Sequence, residues 1–223
     1  TYQYEYPPSG LRTASDRLVR EAEKFIWALR LINSGDIGAQ LFYDRFEALG
    51  SRDNAPITIS GPPDATQTRP HSVNEYRFKK EELEKGKELF IIFGEKSEHL
   101  RALTTALRRF NISYNRQSAE DRIIDLTIAL ESSLLRGIST KLGYRLSYRG
   151  AVLLINVKNP LYVRDFLKVI YDIRSKIVHG GEGLSEIKND RKISRALSKL
   201  NIDIRDSPSV YEEIVRKILR EYI

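Results

Sequence analysis

The sequence predicts a mainly α-helical fold: a helical bundle preceded by a smaller, partly irregular N-terminal region. Three observations carry that expectation. From about residue 79 to the end, apolar residues recur at three- and four-residue spacing, the period that lines one face of a helix. The loop-rich stretches Gly50 to Asn54 and Gly61 to Pro70, with Pro62-Pro63 and Pro70 as breakers, fall before that point. Hydrophobic residues make up 41% of the 223, enough for the helices to enclose a core. The chain accordingly divides into an accessory region, 1–78, and a helical domain, 79–223.

In chain order, residues 1–12, with Tyr2, Tyr4, Tyr6, Pro7, Pro8 and Gly10, read as an irregular arm. A helix follows from Ser15, where Ser15 or Asp16 can cap it. Leu18, Ala22, Phe25, Ile26 and Leu29 form its apolar line, and Asn33-Ser34-Gly35-Asp36 ends it. Trp27, the sole tryptophan, fits the core better than a ligand platform. Leu41-Phe42-Tyr43 and Ile57-Thr58-Ile59 could form short strands. Beyond the boundary, Lys79 to about Phe93 sets charges on one side and Leu83, Leu89, Phe90 and Ile91 on the other. Ser97 to about Tyr114 carries Leu100, Leu103, Leu107 and Phe110. Ser118, with Asp121 three residues on, approximates a capping box for a helix with Ile123, Ile124, Ile128, Leu130 and Leu134 on its apolar line. A helix over Tyr144 to Ile155 comes next, then one opened by Pro160 that runs through Phe166, Ile170 and Ile173 to Val178. Two more, about Ser185–Leu200 and Ser207–Tyr222, close the chain.

Composition removes several classes of function. Cysteine is absent, so there is no disulfide framework, thiolate metal site or cysteine nucleophile. No Asp/Glu/His cluster has convincing ligand spacing, and neither a metal nor a cofactor is expected. The longest apolar run, Ala151 to Ile155, is far short of a membrane span. Methionine is also absent, the initiator included, which points to a piece of a longer chain. Nothing points outside the cytoplasm. The charge is uneven. Residues 1–140 hold 20 basic and 20 acidic residues, and residues 141–223 hold 17 and 10. The whole excess of +7 thus lies in the final part, as a polyanion partner would require.

That part also holds the most informative segment, Tyr171-Asp172-Ile173-Arg174-Ser175-Lys176-Ile177-Val178-His179-Gly180-Gly181. Arginine holds phosphate through a planar, permanently charged fork. Histidine moves a proton near neutral pH. Of the three histidines, His71, His99 and His179, only His179 lies with such an arginine at the end of an apolar helical run stopped by two glycines. On an ideal helix a five-residue step rotates the side chain by roughly 140° and advances it about 7.5 Å. Arg174 and His179 therefore converge only if the helix ends early, as Gly180-Gly181 suggests, or if two chains pair their motifs across a two-fold axis.

The segment Val169 to Gly181 resembles the signature helix of the HEPN superfamily, in its Apea-like branch. Glu120-Asp121-Arg122-Ile123-Ile124-Asp125-Leu126-Thr127-Ile128-Ala129-Leu130-Glu131 and Tyr148-Arg149-Gly150-Ala151-Val152-Leu153-Leu154 are similar to two further helices of that family. The similarity covers roughly residues 97–182. It implies a HEPN-like helical bundle that dimerises and, in active members, cleaves RNA without metal. It also implies that Arg174 and His179 are the catalytic pair. Ser175 fits the polar position after the arginine. Gly181 stands where members paired with nucleotidyltransferase antitoxins often carry tyrosine, which disfavours that subtype. Glu131, Asp121 and Arg149 are expected as supporting residues, Glu131 and Asp121 more as an ion pair or helix cap than as catalysts. Lys176 and Arg149 are the further cations expected to touch RNA.

The resulting expectation is a cytoplasmic, metal-independent endoribonuclease in a defence or toxin context. It would leave 2′,3′-cyclic phosphate and 5′-OH ends. Its expected partners are RNA, a second copy of the chain using Ile170, Ile173 and Ile177, and a regulatory or trigger protein. The alternative is a non-catalytic HEPN module that binds RNA, a nucleotide or a protein; a helical adaptor is a third reading.

Overall fold

A computed structural model describes residues 9–35, 37, 79–94 and 98–223, with side chains of 9–19 and 98–102 left aside. The described residues form a bundle of helices and contain no strand. The segments expected as strands, 41–43 and 57–59, lie outside them, as does His71. In order the helices are α1 (Ser9–Ile32), α2 (Lys80–Gly94), α3 (Glu98–Ser113), α4 (Ala119–Leu134), α5 (Leu142–Leu153) and α6 (Pro160–Ser175). After α6 come α7 (Leu184–Ile187), α8 (Arg191–Lys199) and α9 (Ser207–Tyr222). Among the described residues, no helix is long and apolar enough to cross a membrane.

Most boundaries follow local chemistry. Ser118 caps α4: its hydroxyl accepts from the Asp121 N–H at 3.2 Å. The hydroxyl itself donates to Glu120 at 2.9 Å, a contact between side chains and not the reciprocal backbone bond of a capping box. Asn159 caps α6 by accepting from the N–H groups of Leu161 and Tyr162 at 2.9 and 3.3 Å. Pro160 at the first position has no N–H to leave unpaired.

Two boundaries away from the end of α6 differ from expectation. α1 begins at Ser9, directly after Pro7-Pro8, and not at Ser15; the expected arm over 1–12 is therefore helical from its ninth residue. Leu11, Arg12 and Ala14 are good helix formers and carry the helix back past Ser15 toward the prolines. The expected single helix over 185–200 is two, because the Asp190 carboxylate accepts from the N–H groups of Lys192 and Ile193 at 2.9 and 3.0 Å and starts α8 afresh.

The core is continuous across α3, α4, α5, α6 and α9. Phe110, Ile123, Leu126, Leu130, Leu146, Phe166, Leu167, Ile173, Ile214 and Ile218 are enclosed in it. Burial of Ile170 and Ile173 inside one chain removes them as contacts to a second copy; only Ile177 of the expected trio remains half-buried. The C-terminal half of α1 lies against α9 and adds Ala28, Leu29 and Leu31 to the buried interior. Trp27 packs half-buried against the core. The α1–α9 contact is polar as well. Arg216 of α9 donates through Nε to the Arg30 carbonyl at 2.8 Å and through Nη2 to the Tyr114 hydroxyl at 2.9 Å and Glu212 at 2.7 Å. Glu212 also accepts from Arg122 at 2.6 Å, which ties α4 to α9. Burial, reinforced by the charge of Glu212, pushes the Tyr114 hydroxyl far above its ordinary pKa and keeps it a neutral acceptor for Arg216.

Candidate active site

The C-terminal end of α6 does not continue as an α-helix to Val178. After Ser175 the backbone widens into a π turn over Lys176–Gly180, closed by Gly181 in the left-handed region at φ 65°. The Gly181 N–H donates to the Ile177 carbonyl at 3.2 Å, and the Glu182 N–H donates to the Lys176 carbonyl at 3.4 Å. Glycine adopts this conformation without the penalty a Cβ would bring. A π turn joins residues five apart, where an α turn joins residues four apart. Arg174 lies in α6 two residues before this turn and His179 lies within it, so the step between them departs from that of a straight α-helix. Arg174 stays on the packed helix; His179 stands exposed on the turn, with no described partner.

Arg174 is half-buried. Its guanidinium carbon lies 6.0 Å from the centroid of the Tyr171 ring, one helical turn earlier. The Tyr171 hydroxyl donates to Glu131 Oε1 at 3.1 Å, so α4 holds the ring and the ring supports the arginine. Burial raises the Tyr171 pKa, Glu131 raises it further, and the nearby Arg174 charge opposes them. Glu131 thus meets Tyr171, the ring beside Arg174, and makes no direct ion pair with Arg174 among the described residues. Arg174 Nε is buried with no hydrogen-bond partner among the described residues. A buried donor without an acceptor is costly, and Arg122 Nε is in the same state, so the orphaned atom does not by itself mark an anion site.

The remaining expected residues are placed elsewhere. Asp121 is exposed in the first turn of α4, ten residues from Glu131 and so about 15 Å along the helix. Asp125 is buried and paired with Arg109 and Arg116 at 3.1 and 2.7 Å. Arg149 donates to the Leu134 carbonyl and so closes the C-terminal end of α4; no described contact joins it to Arg174 or His179. Lys176 is neutralised by Glu182 and Asp190, each at 3.2 Å, and ties the loop after His179 to the start of α8. Ser175 is the last α-helical residue, half-buried, and its side chain makes no capping bond. Among the described residues, no group of three or more His, Asp or Glu side chains is placed to hold a metal ion.

Three residues of the site escaped the sequence reading. Tyr171 is one; a tyrosine three positions before an arginine on one helix face was its only signal. Glu120 is the second: its Oε1 accepts from the Leu184 N–H at 2.9 Å and anchors the chain shortly after His179, a bond that also holds its carboxyl below the usual range. Gly143 of α5 is the third. A Cβ there would lie 2.6 Å from Cδ1 and 3.0 Å from Cγ of Tyr171, and a ring cannot yield as a flexible chain end does. Gly143→Ala is therefore expected to cost about 1–3 kcal/mol of stability and to displace the ring beneath Arg174. Thermal denaturation and an RNA cleavage assay check this; a variant matching the wild type in both would contradict the assigned packing.

No protein-family model, curated protein or solved structure matches this chain.

Proposed function

We propose that this chain is a metal-independent endoribonuclease of the HEPN type. The observation that carries the reading is the pairing of a half-buried arginine, set against the Tyr171 ring, with a histidine exposed on a π turn five residues later. In the proposed reaction, the 2′-oxygen of a ribose attacks the adjacent phosphorus as its proton leaves. The bond from phosphorus to the 5′-oxygen breaks, and that oxygen takes up a proton. His179 moves one of these protons. Arg174 stabilises the charge that develops on the phosphate oxygens. The products are a 2′,3′-cyclic phosphate and a 5′-OH, and DNA is spared because it lacks the attacking hydroxyl.

A homodimer belongs to the same proposal, since a two-fold axis would bring two arginines and two histidines to one cleft. Its apolar contacts would come from Ile177 and the exposed Val178. An enzyme of this kind damages its own cell when unregulated, which is the reason for placing it in a defence or toxin setting with a regulatory partner.

Chelation gives the test. RNA cleavage by the wild-type chain is expected to proceed at the same rate with and without EDTA. Loss of activity in EDTA and its recovery with magnesium would replace this reading with carboxylate-based nuclease chemistry. Binding of RNA without any cleavage would favour the non-catalytic module.

A further inference from the structure

A second feature of α6 lies on a different face from Arg174. Between α6 and α8 runs a groove of about 500 Å³ whose floor includes Val169, Ile193, Ala196 and Leu200. α8 turns Ile193 and Leu197 into the core and leaves Arg191, Arg195 and Lys199 exposed on the opposite side. These three recur every four residues, so they stand on one face about 6 Å apart along the axis. Lys168 of α6 joins them across the groove, also exposed.

The acidic residues of the groove are already engaged. Asp172 pairs with Lys192 at 2.7 Å, and Asp165 pairs with Arg164 at 2.7 Å. Asp190, at the start of α8, pairs with Lys176. Lys168, Arg191, Arg195 and Lys199 have no hydrogen bond or ion pair among the described residues. Four unneutralised cations around one groove repel one another, and an extended polyanion would relieve that repulsion at several points together.

We propose that this groove is a phosphate-backbone site for single-stranded RNA, which rests on the ribonuclease reading above and extends it. RNA fits better than an acidic peptide for two reasons. Guanidinium forks such as those of Arg191 and Arg195 match phosphate bidentately. The groove also follows α6 through Asp165, Lys168 and Asp172, so a strand seated in it runs along the helix toward the end from which the π turn continues.

The test measures binding apart from cleavage. A fluorescent single-stranded RNA with every ribose 2′-O-methylated cannot form the cyclic phosphate, and its anisotropy is titrated with the full chain at several salt concentrations. The variant Arg191→Gln/Arg195→Gln/Lys199→Gln is expected to bind roughly tenfold or more weakly at low salt, and its slope of log affinity against log salt should fall by about 2, at ~0.7 per phosphate contact on a single strand. The variant Lys79→Gln/Lys80→Gln/Lys85→Gln removes the same charge from the first half of α2 and the residue before it and should change neither quantity much. Wild-type affinity in the groove variant, or equal weakening in both variants, would overturn the proposal. So would a wild-type chain that binds polyglutamate but not RNA. Cleavage of unblocked RNA is scored in parallel. A groove variant that binds like the wild type while cleavage persists sinks the groove alone, whereas groove-dependent binding without any cleavage sinks the ribonuclease reading alone.

Discussion

Replacing His179 by alanine is expected to lower RNA cleavage by ~10²–10⁴-fold, the range a positioned general acid or base supplies, and to leave the helical circular dichroism signal unchanged. The second half of that expectation follows from exposure. His179 stands on the π turn with no described partner, so its removal falls among surface changes, usually within about 0.5 kcal/mol of neutral. Arg174→Lys is expected to fail nearly as completely although it keeps the charge. A lysine has no planar fork to hold two phosphate oxygens. Cleavage by His179→Ala at the wild-type rate would remove the histidine from the mechanism. Full activity in Arg174→Lys would reduce the arginine to a source of positive field.

Arg216→Ala is expected to produce the largest loss of stability, about 3–5 kcal/mol, the usual cost of removing one partner from a buried ion pair. The Arg216 side chain is 3% exposed and serves four groups: the Arg30 carbonyl, the Tyr114 hydroxyl, Glu212 and Glu213. Its loss would remove the Arg216 donor from the Tyr114 hydroxyl, the Arg30 carbonyl and Glu212, which keeps Arg122 among its partners. Because these partners sit on α1, the end of α3 and α9, the damage should spread across the bundle. Urea denaturation measures it. Glu213→Ala serves as contrast: that carboxylate is 40% exposed and screened by water, so its removal should cost under about 1 kcal/mol. Equal midpoints for Arg216→Ala and the wild type would show that the network does not hold the helices together.

The mainly helical character and several helix ends were legible because short-range chemistry decides them. Ser118 and the Asn159-Pro160 pair mark the starts of α4 and α6 through groups the next turn requires. The break between α7 and α8 was legible in principle from Asp190, but a continuous apolar period across it masked the cap. The π turn was not legible. Gly180-Gly181 announces a helix end, yet whether the last turn closes at four or five residues depends on how the loop is tied down. The ties come from Lys176 with Glu182 and Asp190, and from Glu120 on a distant helix.

The site follows the same division. Arg174 and His179 stood out by residue type and spacing. The support beneath Arg174 needed tertiary contact, since Tyr171 reaches Glu131 across forty positions and Gly143 makes room for the ring from a third helix. Lys176 looked like a phosphate ligand only while its two carboxylates were out of view. Ile170 and Ile173 looked available for a partner chain for the converse reason: periodicity shows which face of α6 is apolar, not which neighbour covers it.

The chemical identity of the cut ends tests the central claim most directly. Wild-type chain is incubated with a defined single-stranded RNA in EDTA, and the products are analysed by mass spectrometry. Attack by the neighbouring 2′-oxygen, with Arg174 on the phosphate and His179 moving a proton, requires a 2′,3′-cyclic phosphate on one fragment and a 5′-OH on the other. Fragments ending in 3′-OH and 5′-phosphate would mean that water or a metal-bound hydroxide attacked instead, and would contradict the roles assigned to both residues.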